Sequence, residues 1–155
     1  MSPTYSASIE PSSTDGPVTR PHPLRVLFVE DHSDSRCVIA NLLRRCGYDV
    51  LVAESAGAAL QVLNEHKFDV ILSDIDLPDG SGDGLIMLAK QRDRSIAAVA
   101  LSGISSEREI QFSREMGFDV YLTKPVDFHE LRTVLNKFIN RRVDSLALSL
   151  AQKVA

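Results

Sequence analysis

From residue 24 onward, apolar and polar positions follow two alternating periods, and each period returns five times. Residues 24–29 form a short apolar, β-branched run of strand length. Residues 33–46 then place Val38, Ile39, Leu42, Leu43 and Cys46 at helical spacing, and Gly47 supplies a stop. Residues 49–53 read as a second strand. Ser55 is positioned to cap a helix running to Glu65, with Ala59, Leu60 and Leu63 inward. Residues 68–73 are the third strand. Residues 80–84 read as a turn and helix entry, after which Leu85, Leu88 and Ala89 face inward. Residues 96–101 are the fourth strand, and Ser105 or Ser106 caps a helix that stops at Gly117. Residues 119–122 are the fifth strand. Asp127 caps a last helix with the stripe Leu131, Val134, Leu135, Phe138 and Ile139.

Strands that alternate with helices imply an α/β fold: a parallel sheet covered on both faces, with right-handed crossovers. For five strands the expected doubly wound order is 2-1-3-4-5. Its switch point, between strands 1 and 3, is where such sheets bind ligands. Residues 24–140 make up this domain. Residues 1–23 differ in composition, holding five of the seven prolines, many Ser and Thr, and few large apolar side chains. Such a segment buries too little surface to offset its ordering entropy and reads as a disordered tail or linker. In residues 141–155, Val143, Leu146, Ala147, Leu150, Ala151 and Val154 recur at helical spacing. They extend the last helix, form a short extra one, or belong to a frayed tail.

Charge enters at the strand ends. The first strand stops at Glu30-Asp31, the third at Asp74 followed by Asp76, and the fifth at Lys124-Pro125. In a parallel sheet these groups meet at one edge. Carboxylates crowded there repel one another and call for a cation, and hard oxygen donors suit Mg2+. An acidic Mg2+ pocket faced by one lysine is suited to handling a phosphoryl group. The whole chain carries a net charge of −4, which argues against a non-specific nucleic-acid binder. No apolar run approaches the ~20 residues that span a bilayer, and the first residues lack the apolar core of a signal peptide. A cytoplasmic protein with no membrane segment in this chain is the expectation. Cys37 and Cys46 lie nine positions apart on one helix, hence on opposite sides. They cannot pair with each other, and both read as packing or surface residues. His22, His32, His66 and His129 form no ligand spacing.

Four segments, each ending a predicted strand, carry a resemblance. They are Glu30-Asp31; Asp74 leading into Ile75-Asp76-Leu77-Pro78-Asp79-Gly80-Ser81-Gly82; Ser102-Gly103; and Tyr121-Leu122-Thr123-Lys124-Pro125. In this order the chain resembles the response-regulator receiver domain of two-component signalling, a flavodoxin-like (βα)5 fold, over about residues 24–140. The resemblance implies that Asp74 is the phosphoacceptor, taking a phosphoryl group from a phosphohistidine on a histidine kinase or histidine phosphotransfer protein. It implies Mg2+ held by Asp31, Asp74 and the backbone carbonyl of Asp76, with Glu30 reaching a metal-bound water, because Glu is a methylene longer than the Asp usual at that position. Lys124 is then the partner of the phosphoryl oxygens. Ser102 and Tyr121 are a switching pair, Gly103 leaves room for the phosphoryl group, and Pro125 follows a cis bond. The readout surface is helix 4, strand 5 and helix 5, presented by Arg108, Phe112, Arg114, Tyr121 and Phe128 to a downstream protein. No nucleic acid is contacted directly.

The resemblance describes a phosphoacceptor module that is not an enzyme beyond hydrolysing its own acyl phosphate. It is either a free-standing regulator or the terminal piece of a hybrid histidine kinase, whose linkers the Pro/Ser-rich start resembles. Two other readings compete. Asp74-Ile75-Asp76 also fits the Asp-x-Asp pair of Mg2+-dependent phosphatases of the haloacid-dehalogenase type, although there the pair follows the first strand of the core. The third reading is a receiver-like module that binds partners without being phosphorylated, against which the intact set of charges argues.

Overall fold

A computed structural model describes residues 22–103 and 106–154 of the chain. Its elements are β1 (Arg25–Val29), α1 (Ser33–Arg45), β2 (Asp49–Ala53), α2 (Ala56–Glu65), β3 (Val70–Asp74), β4 (Asp76–Leu77) and β5 (Gly80–Ser81). They continue with α3 (Gly82–Arg92), β6 (Ala97–Ser102), α4 (Glu107–Met116), β7 (Val120–Thr123) and α5 (Phe128–Val154). Five strands form one parallel sheet in the order β2-β1-β3-β6-β7. This is the 2-1-3-4-5 order expected from the sequence, because β4 and β5 are a separate two-stranded hairpin and β6 and β7 are the fourth and fifth strands of the sheet.

Successive residues of each strand point to opposite faces, and the core divides accordingly. Val26, Phe28, Val70, Leu72, Val99 and Leu101 pack against α1 and α5 through Ala40, Leu43, Leu131 and Leu135. Leu27, Val29, Ile71, Ala98 and Ala100 pack on the other face against α2 and α3 through Ala59, Leu85, Ile86 and Ala89. Both faces of the sheet are covered, so its strands read as continuous apolar runs rather than as an alternating pattern.

Local chemistry sets the ends of the helices. Gly47 and Gly117 take φ +92° and +122°, a region that favours glycine, directly after α1 and α4. Ser55 accepts from the Ala58 amide at 3.1 Å and Ser106 from the Glu109 amide at 3.3 Å. Asp127 Oδ1 accepts from the amides of His129 and Glu130 at 2.8 and 3.1 Å. Residues 1–21 and Ser105, the alternative cap of α4, lie outside the described residues.

Two helix faces differ from the sequence reading. On α1, Ala40 and Leu43 are buried and Ile39 is half-buried, while Val38, Leu42 and Cys46 are exposed. Ala40 and Leu43, three positions apart on one face, are the residues that meet the sheet. On α3, Ile86 is buried in place of Leu88, which is 40% exposed. Cys37 is exposed as well, and both cysteines are free. The stretch read as a turn and helix entry, 80–84, is split: its first two residues close the β4–β5 hairpin, and α3 starts at Gly82.

Candidate functional site

β1 and β3 are neighbours and end level with one another, Val29 beside Ser73. The next residue on each strand therefore brings Glu30 and Asp74 to the same edge. Asp74 in turn pairs in register with Leu101 of β6, and Ser102 of β6 with Thr123 of β7. Lys124 follows directly, its amide donating to the Ser102 carbonyl at 2.8 Å. Strand register alone thus gathers the predicted residues of four separate segments at the carboxyl end of the sheet.

Side chains complete the arrangement. Lys124 Nζ donates to Asp74 Oδ2 at 2.8 Å and to Glu30 Oε2 at 2.9 Å. Asp74 is 6% exposed and Glu30 1%. The Asp76 amide donates to Asp74 Oδ1 at 3.1 Å, while the Asp76 side chain is exposed. Burial lowers the Lys124 pKa, but its hydrogen bonds to Asp74 and Glu30 outweigh that and hold it above the ordinary lysine value. The ammonium is therefore charged across the neutral range. Its contribution to stability is full below the unfolded lysine pKa of ~10.4 and is lost only as pH rises through the folded value. The Lys124–Pro125 peptide bond is cis.

The fit of this edge to a divalent cation rests on one orphaned atom and on the donor set. Glu30 Oε1 is buried and has no hydrogen-bond partner. Oxygens of Glu30 and Asp31 lie within 4.8 Å of one another, together with a ring nitrogen of His32. Hard oxygen donors beside an unpaired buried carboxylate oxygen suit Mg2+. His32, one of the four histidines without ligand spacing in the sequence, is exposed but belongs to this cluster. Its imidazole is a poor ligand for Mg2+.

Ser102 is buried at the end of β6, and Tyr121 is half-buried against the α2–α3 side of the core. The two share a cavity with Ile75 and Asp76. A Cβ on Gly103 would meet nothing within 4 Å. Of the residues expected on the readout surface, Phe112 is 53% exposed, Arg108 and Arg114 are exposed, and Phe128 is half-buried.

The roles of three residues that shape the edge went unrecognised in the sequence. Arg36 of α1 reaches back, its Nη1 donating to the carbonyls of Glu30 and Asp31 at 2.8 and 3.2 Å. It fixes the backbone that carries both acids, and an arginine on an amphipathic helix gives no sequence signal of such a role. Asp79, in the β4–β5 turn, accepts from the amides of Ala56 and Gly57 at 2.9 Å each and so caps α2 from outside the helix. Its place in a Pro-Asp-Gly turn was legible, but not its partner. Gly82 is the third. A Cβ there would stand 2.3 Å from the Asp74 carbonyl oxygen, so only glycine lets α3 start against the backbone of Asp74.

Residues 26–136 match the family model for the response regulator receiver domain. The two-component response regulator ARR12 of Arabidopsis thaliana is 32% identical over 123 residues, covering 78% of this chain and 20% of that protein. The sensor histidine kinase RcsC of Escherichia coli is 29% identical over 129 residues, covering 83% of this chain and 14% of that one. The chain thus spans about a fifth or less of the length of these two relatives. Among solved structures, a CheY-like response regulator receiver domain protein from Methanospirillum hungatei JF-1 superposes with a TM-score of 0.73 at 28% identity, covering 79% of this chain and 98% of that one. The receiver domain of the Francisella response regulator 1452 gives 0.72 at 27% identity, covering 77% and 98%.

Proposed function

The chain belongs to the response regulator receiver domain family of two-component signalling, and from that premise we propose that Asp74 is its phosphoacceptor. The observation that carries this reading is the Asp74–Lys124–Glu30 chain of contacts at the switch point of the sheet. The donor is a phosphohistidine on a histidine kinase or histidine phosphotransfer protein. An Asp74 carboxylate oxygen attacks phosphorus, the P–O bond forms as the P–N bond breaks, and the imidazole leaves. Transfer of this kind depends on positioning and charge neutralisation rather than on covalent help from the protein.

The chain's own residues divide that work. The Asp76 amide fixes the direction of the Asp74 carboxylate, and Lys124 meets the developing charge on the phosphoryl oxygens as a point charge. Asp31, Asp74 and the Asp76 carbonyl would hold Mg2+ directly, and Glu30 would act on it through water. The ion supplies charge neutralisation for the incoming phosphoryl group. After transfer, the doubly negative group at Asp74 draws in Ser102 and Tyr121 and shifts the α4–β7–α5 face toward a downstream protein partner. The domain spans 24–140 and acts in the cytoplasm.

The test is phosphate incorporation from a small phosphodonor. One alkali-labile phosphate per chain is expected, dependent on Mg2+ and absent in Asp74→Asn. Removing an outer-shell partner typically costs ~10–100-fold in metal affinity. Asp31→Asn is therefore expected to raise the Mg2+ requirement at least as far as Glu30→Gln does. Undiminished labelling of Asp74→Asn, or a larger metal defect in Glu30→Gln, contradicts the assignment.

A further inference from the structure

A cavity of about 320 Å³ opens between α3 and α4, bordered by Ile75 and Asp76 on one side and by Phe112 and Tyr121 on the other. Its wall includes Asp83, in the first turn of α3. This carboxylate is 6% exposed. Oδ2 accepts from the Ser81 hydroxyl at 3.2 Å, and Oδ1 is enclosed without any hydrogen-bond partner. No ion pair reaches Asp83 among the described residues. A buried carboxylate oxygen left without a donor is unfavourable, and a cation or a set of N–H donors removes the deficit. The charge of an ionised carboxylate is shared by both oxygens, so a cation on the cavity side stabilises Asp83 whichever oxygen it meets.

The rest of the lining agrees in sign and shape. Carboxylates outnumber guanidinium groups three to one, Asp76, Asp83 and Glu109 against Arg108. Phe112 and Tyr121 offer aromatic faces, on which a flat cation is held by the ring quadrupole as well as by contact area. The volume lies at the lower end of small-molecule sites, ~300–1,000 Å³. A metal ion takes several oxygen ligands at once, whereas Asp83 is the one enclosed carboxylate of this lining and Asp76 and Glu109 are exposed.

We propose that the α3–α4 cavity is a binding site for a small organic cation, an amidinium or guanidinium on a flat apolar body. Asp83 anchors the charge, and Phe112 and Tyr121 hold the body. The site does not depend on Asp74 being a phosphoacceptor, although it shares Ser102 and Tyr121 with the proposed switch. Arg108, exposed in the lining, opposes the ligand by like charge.

Benzamidine is the probe, titrated into the full chain and followed by 15N–1H NMR, with uncharged benzamide as the control. Saturable shifts are expected at Ile75, Phe112 and Tyr121, with benzamide producing none at the same concentrations. Asp83→Asn, which keeps the shape and removes the charge, is expected to weaken binding by about tenfold or more. Arg108→Ala, at an exposed position that does not threaten the fold, is expected to tighten it by about two- to threefold. Equal binding of benzamide, unchanged affinity in Asp83→Asn, weaker binding in Arg108→Ala, or shifts centred on Glu30 and Asp31 each overturn the site.

Discussion

At the scale of single residues, the edge of the sheet is held by side chains whose partners lie far away in sequence. Lys124 joins two acids that precede it by 94 and 50 positions. The sequence names these charges because they interrupt apolar strands, an abrupt change that any hydropathy pattern displays. It does not name Arg36 or Asp79, whose roles depend on backbone groups of other segments. Asp83 is hidden for a further reason: an Asp next to a helix start reads as a capping residue, and only packing shows that its carboxylate is enclosed. Asp79 carries a pH signature. The Gly57 and Ala56 amides stabilise its charged form and hold its pKa below the ordinary Asp value. A depressed carboxyl stabilises the fold above the unfolded pKa of ~3.9 and loses that contribution as pH falls through the folded value. Carboxyl 13C NMR is expected to place the Asp79 midpoint below that of a model Asp. Asp79→Ala is expected to speed hydrogen exchange at the start of α2 near neutral pH, and this difference should vanish once the parent Asp79 is protonated. A midpoint at or above the ordinary value contradicts the capping role.

At the scale of elements, existence and order follow from periodicity, whereas facing does not. Five strands and five helices were legible because each apolar run is bounded by charged residues or by a Gly, Pro or Ser signal. The face of α1 was misjudged because the sequence reading passed over the small Ala40, and that of α3 because residues 85–89 are all apolar, so spacing alone did not choose a face. α5 divides into two parts. Leu131, Val134, Leu135 and Phe138 are buried against the sheet. Beyond Arg142, which pairs with Asp69 at 3.1 Å, the same helix continues to Val154 with Val143, Leu146, Leu148 and Leu150 exposed. Apolar spacing made this extension visible in the sequence but left open whether it was one helix or two. Leu135→Ala is expected to cost ~2–5 kcal/mol and Leu150→Ala less than ~0.5 kcal/mol, read as urea midpoints at unchanged slope. Equal losses contradict the division of α5 into a packed and an unpacked part.

For the molecule as a whole, the strand order does the assembling. A doubly wound sheet brings its first and third strands together at a switch point, and this chain ends both in carboxylates. Both the fold and the edge where these charges gather were therefore readable before any coordinates. Moving an equilibrium from 1:99 to 99:1 takes ~5.5 kcal/mol of differential binding, whereas one hydrogen bond to a charged acceptor supplies ~1.5–3 kcal/mol. In the proposed switch Ser102 by itself is too weak, and Lys124, released from Asp74 and Glu30 to the phosphoryl group, would carry a large share. All of this presupposes that Asp74 receives the phosphate. Substitution tests of that point also change the charge of the edge, so trapping in the unaltered chain is more direct. Borohydride reduces an aspartyl phosphate to homoserine, and peptide mass spectrometry then locates the residue. After treatment with a phosphodonor and Mg2+, homoserine is expected at position 74 and not at Asp31, Asp76 or Asp83. Homoserine at any of those positions, or none at 74 while phosphate is incorporated, contradicts the account.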